Sequence, residues 1–204
     1  MNSHQPAGKD LIASFDRTVT AVGQLVAGVA PVQWSAPAPC TEWDVSHLVD
    51  HLIAGNRHFA ALVQGRRPAG QYLAGDRAGA YRASAAALRA AFSATGALEQ
   101  VYQSPIGPAS GSAIVHLRIS EQLLHGWDLA RATGQRPNLP ADLAEQALAL
   151  SQAQLGDAPR DGLPFDPARP VPDDAPAIDR LAAFFGRAAE RPSSRDHCPA
   201  AVLP

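Results

Sequence analysis

Glu121 and His125 stand four residues apart in ISEQLLHGWDLARATG, and His47, His51 and His58 all fall within TEWDVSHLVDHLIAGNRHFAALVQG. Carboxylate and imidazole are the donor types that hold borderline divalent cations, and residues four apart on a helix project from one face about a turn apart. Glu121 and His125 can therefore converge on one ion. In the other stretch Val45, Leu48, Val49, Leu52, Phe59 and Val63 make an apolar face, Asp50 and Arg57 fall on the solvent side, and the three histidines share the margin between. His51 lies closest to the apolar face, which suits a group reaching into a cleft. With Glu121 and His125 it makes a three-ligand set that leaves a fourth position for water or substrate. His47, one turn before His51, is the competing ligand or a supporting group around the metal.

A second reading stays open. Arg118, Glu121, His125 and Asp128 lie on one side of the same segment, interleaved with Ile114, Leu117, Leu124 and Leu129, so their charges are expected to be partly buried. Buried charges cost several kcal/mol unless paired or metal-bound, and an ion-pair network joining helices would satisfy them as well as a metal would. Asp128 either holds the free ring nitrogen of His125 as a supporting carboxylate or bridges to Arg131 or Arg118.

The elements that must position these groups are helices. Leu11, Ile12, Phe15, Val19, Val22, Leu25 and Val26 recur at helical spacing, predicting a first helix from Asp10 to about Val29. Pro31, Pro37 and Pro39 then enforce an extended linker. The histidine helix follows, with Thr41 and Asp44 spaced as a capping box and Gly65 as its stop. An alanine-rich third helix anchored by Tyr81, Leu88 and Phe92 ends near Gly96. Leu98 to Ser112 has turn chemistry with one short extended piece. The fourth helix runs from about Ser112 to a cap at Gly134, a fifth is entered through Pro140, and AIDRLAAFFGRAAE makes a last one. Trp43 and Trp127 are read as packing anchors.

The bulk composition sets the class. A chain of 204 residues with 46% hydrophobic content can bury one core, so a single domain over residues 1–190 with a flexible tail over 191–204 is expected. Helix after helix without alternating strands predicts an all-α bundle. A net charge of -2 and a single lysine, Lys9, give no basic stripe for nucleic acid, and no apolar run reaches the roughly 20 residues that span a bilayer. A cytoplasmic protein with neither nucleic-acid nor membrane partner is the expectation, with Cys40 and Cys198 reduced. The alanine-rich third helix offers a surface on which two copies could pair as a homodimer.

CTEWDVSHLVDHL, EQLLHGWDLARATGQ and PVPDDAPAIDRLAAFFGR together resemble the DinB-like superfamily and, within it, the metal-binding domain of mycothiol-dependent maleylpyruvate isomerase and its single-domain relatives. The resemblance runs from about Leu11 to Arg187. It implies a four-helix bundle in up-up-down-down order with additional C-terminal helices, and a divalent metal, zinc or nickel, held by three side chains. The histidine closing the family's W-x-V-x-x-L-x-x-H pattern is matched by His51, after Trp43, Val45 and Leu48; the E-x-x-x-H ligands are matched by Glu121 and His125. It also implies a low-molecular-weight thiol of the mycothiol type as co-substrate. The expected activity is then S-transfer to, or isomerisation of, a small electrophile. A hydrolase using metal-bound water, and a non-enzymatic bundle stabilised by metal, are the alternatives.

Overall fold

The computed structural model describes residues 8–39, 43–67, 75–105, 107–156, 160 and 165–188. Cys40, Thr41, Cys198 and the expected tail over 191–204 lie outside the described residues. Six helices occur within them: α1 (Gly8–Ala27), α2 (Val45–Val63), α3 (Arg77–Phe92), α4 (Gly111–Thr133), α5 (Ala141–Leu155) and α6 (Ala177–Phe184). Each of α1 and α2 packs on both α3 and α4, the α2/α3 and α1/α4 contacts being the most extensive. That neighbour pattern is the one an up-up-down-down bundle requires if every packed pair is antiparallel. The other two helices, α5 and α6, pack on each other and against α4. No helix among the described residues is long and apolar enough to cross a membrane.

Helix α4 is the axis of the molecule. Ser110 caps its N-terminus by accepting from the Ala113 amide at 3.2 Å, and Gly134 ends it at φ 71°, in the left-handed region that favours glycine. Between these ends it is buried on nearly all sides, by Ile114, Val115, Leu123, Leu124, Trp127, Leu129 and Ala130, and also by Arg118, Gln122, His125 and Asp128. The wheel's opposite faces are thus both interior. One face meets α1 and α2, and the other is covered by α5 and α6. Trp127 ties this second layer down, donating from Nε1 to Asp179 Oδ1 of α6 at 2.6 Å.

Three expectations need correction. Residues 98–112 contain a hairpin and not one extended piece: β1 (Val101–Ser104) pairs antiparallel with β2 (Gly107–Ser110), with Ser104 opposite Gly107. The fold is therefore helical with one small two-stranded sheet. The N-cap of α2 is Asp44, whose side chain accepts from the His47 amide at 2.9 Å, so the cap lies three residues beyond Thr41 and the helix begins at Val45. Helix α6 stops at Phe184, because Gly186 at φ 79° turns the backbone out of the helical region; the end of the expected helix, residues 189–190, lies outside the described residues.

Candidate functional site

His51 and His125 meet where α2 packs on α4. Their ring centroids are 5.1 Å apart, edge to face, and Trp43, just before α2, tilts against both rings at 4.8 and 6.0 Å. The linker is drawn back against the start of α2 by backbone bonds: Trp34 and Ala36 carbonyls accept from the first-turn amides of Ser46 and Val45, and the Ala38 amide donates to the Trp43 carbonyl. Trp43 is thus a wall of the site as well as the packing anchor expected from the sequence.

The two imidazoles have different surroundings. His51 Nε2 is sequestered from solvent and has no hydrogen-bond partner. Burial, with His125 and Arg118 nearby, pushes the His51 imidazole down to about 3, so it is neutral with a lone pair to offer. The His125 ring is only 6% exposed, and its Nδ1 is 3.1 Å from Asp128 Oδ2, which leaves Nε2 as the nitrogen facing outward from that bond. Asp128 is fully buried. Burial pushes its carboxyl up, but Arg187 and His125 outweigh that effect and hold it below the usual carboxylate range. Arg187, from the segment after α6, donates to Asp128 through Nη2 at 3.1 Å and Nε at 3.4 Å.

The cation that reaches Asp128 thus comes from outside α4, whereas the sequence pointed to Arg131 or Arg118. Arg131 lies over the Trp127 ring, 5.2 Å from its centroid. Arg118 turns the other way, with Nη1 donating to Glu121 Oε2. The half of the ion-pair reading that concerned Arg118 and Glu121 is therefore present. Among the described residues no three His, Cys, Asp or Glu side chains are grouped closely enough to share an ion as they stand. His47 is 67% exposed with Nδ1 2.9 Å from Asp44 Oδ1, at its own helix cap and not at the imidazole pair.

A polar chain missed by the sequence reading runs behind these groups. Arg118, 0% exposed, donates from Nη2 to Asn56 Oδ1 at 3.0 Å; Gln122 donates to the same oxygen at 3.0 Å and accepts from the Tyr81 hydroxyl at 2.6 Å. Burial above all pushes the Tyr81 hydroxyl's pKa far up, keeping it a neutral donor. Only Arg118 carried a signal in advance, through its placement on the same helix side as Glu121. Asn56 and Gln122 are 66 residues apart and are joined only by the α2/α4 packing.

The donor set fits a borderline divalent cation: one imidazole with an orphaned buried nitrogen, a second fixed by a carboxylate through its other nitrogen, and an acidic group one turn away. Comparison with known proteins places the chain in a family and supports its fold. The family described as the mycothiol maleylpyruvate isomerase N-terminal domain matches residues 15–130, which include all three candidate ligands. The chain belongs to that family. An uncharacterised protein from each of two Mycobacterium tuberculosis strains is 34% identical over 184 residues, covering 87% of this chain and 98% of its own length. Among solved structures, the crystal structure of the mycothiol-dependent maleylpyruvate isomerase matches with a TM-score of 0.59 at 15% identity, covering 73% of this chain and 71% of that one. A histidine-to-alanine mutant of it matches at 0.58 and 14%. At such identities these two matches establish the DinB-like fold.

Proposed function

We propose that this member of the mycothiol maleylpyruvate isomerase N-terminal domain family is a metal-dependent enzyme that adds a small thiol of the mycothiol type to an electrophilic substrate, for transfer or for isomerisation through a transient adduct. The observation that carries the reading is the partnerless buried Nε2 of His51 beside a His125 whose Nδ1 is held by a buried carboxylate. A nitrogen placed this way loses its hydration and gains no protein hydrogen bond, so a buried lone pair is kept free for a ligand.

His51, His125 and Glu121 would hold the ion, zinc or nickel on this ligand chemistry. Such an ion, when bound, lowers the pKa of a coordinated thiol so that a thiolate is available at neutral pH. The chain's own residues do the rest. Asp128 fixes the tautomer of His125 and raises its donor strength, and Arg187 keeps Asp128 charged by neutralising it in the interior. Trp43 covers the rings and excludes water from one side. A thiol co-substrate of this kind places the protein in the cytoplasm, and the functional unit is the single helical domain within residues 1–190.

The test is incubation of zinc-loaded and nickel-loaded protein with a small thiol and a model electrophile. Thiol-dependent product from wild type, abolished in His51→Ala at equal folded concentration, is the expected result. Product that forms equally without thiol would make water the nucleophile and overturn the thiol assignment.

A further inference from the structure

Arg118 has no place in the chemistry just described, yet the fold makes room for it at the centre. It is among the largest fully buried side chains, and its guanidinium passes so close to α2 that a Cβ on Gly55 would stand 2.6 Å from Nη1. Nη2 is held by Asn56 Oδ1 at 3.0 Å and lies 3.5 Å from the Leu52 carbonyl, the plane rests 5.6 Å over the Phe59 ring, and Nε has no partner. Among the described residues, only Nη1 meets a formal opposite charge, and that charge is Glu121. The carboxylate proposed as third ligand is therefore the counter-ion of a buried arginine. Among the described residues no three such donors stand close enough to share an ion.

We propose that Arg118 is a positioning residue that sets the metal affinity of the site by competing for Glu121. The inference rests on the metal-site reading above. With no ion bound, the partly exposed Glu121 carboxylate neutralises the buried Arg118 guanidinium. Binding requires Glu121 to exchange its guanidinium partner for the ion, and a fixed positive charge stays behind close to another cation. Both effects weaken binding. The gain is that the fully buried Arg118 guanidinium is not left without a counter-charge in metal-free protein.

The experiment is a chelator-competition titration of zinc into metal-free full-length wild type, Arg118→Met and His51→Ala, with thermal unfolding of the metal-free forms. Arg118→Met is expected to bind zinc at least about tenfold more tightly than wild type, the scale on which groups around a metal ligand act, while its metal-free form melts at lower temperature. A purely structural Arg118 would instead give unchanged or weaker zinc binding along with the lowered melting temperature, and that result overturns the proposal while leaving the site assignment intact. If wild type binds no more zinc than His51→Ala, the site assignment itself fails and the proposal with it. Should Arg118→Met not fold, wild-type protein decides the matter by NMR of its assigned arginine side-chain N–H groups. Those of Arg118 are expected to shift on zinc saturation, and no change would overturn the competition.

Discussion

Replacing Asp128 by asparagine keeps the shape of the side chain and removes its charge, and its surroundings make the consequence calculable. The carboxylate is fully buried and accepts from Arg187 Nη2 at 3.1 Å and Nε at 3.4 Å, while His125 Nδ1 stands 3.1 Å away. Asparagine offers one oxygen and one NH2. Whichever way the amide turns, one of these donors faces another donor, and the buried Arg187 guanidinium loses a counter-charge. Removing one partner of a buried pair costs about 3–5 kcal/mol. With a urea m-value of about 2 kcal/mol/M, the midpoint should fall by roughly 1.5–2.5 M at unchanged slope. In the same variant His125 loses an anionic partner, and zinc affinity should weaken about 10–100-fold. Urea unfolding of the metal-free protein and a competition titration of zinc are the two assays. A loss below about 1 kcal/mol with unchanged zinc affinity would refute the claim that Asp128 couples Arg187 to His125.

Gly55→Ala should destabilise the protein although alanine favours a helix by about 1 kcal/mol, because the new methyl would displace a guanidinium pinned by Asn56, at an overpacking cost of about 1–3 kcal/mol; a raised unfolding midpoint would contradict the buried position of Arg118. Trp127→Phe should cost about 1–3 kcal/mol by deleting the bond to Asp179, with easier proteolysis after α5 as the accompanying readout. The pH dependence of metal-free protein has a definite sign: the His51 imidazole titrates near 3 in the folded protein against 6.5 unfolded, so the unfolded chain takes up the proton first. Its contribution is complete above pH 6.5 and falls toward pH 3, by up to about 1.4 kcal/mol per pH unit. His58 and His116, both depressed by burial, act in the same direction. His51→Gln should flatten the slope of unfolding midpoint against pH between 6.5 and 4, and an unchanged slope would contradict burial of that imidazole.

The bundle was legible because its helices obey one period and their stops are chemical. Gly134 marks the end of α4 in sequence and in structure, and Pro140 the start of α5. The pairing of His51 with His125 could be anticipated from the histidine margin of α2, the four-residue spacing of Glu121 and His125 on α4, and the family resemblance. The hairpin at Val101–Ser110 could not be separated from a loop, since Pro105, Gly107 and Pro108 hide the alternation that two four-residue strands carry. Nor could the start of α2 be fixed between Thr41 and Asp44, because both residue types cap and only the contact with the His47 amide chooses. Long-range charge pairing was the least accessible part. Arg187 and Asp128 are 59 residues apart, and no local pattern links an arginine beyond the last helix to a carboxylate in α4.

Anomalous diffraction at the zinc edge, from crystals of the full chain grown with zinc, tests the central claim most directly. One peak is expected between α2 and α4, within about 2.0–2.2 Å of His51 Nε2, His125 Nε2 and a Glu121 oxygen. A zinc-saturated crystal with no peak between these side chains, or with the ion held elsewhere while Glu121 stays on Arg118, would contradict it.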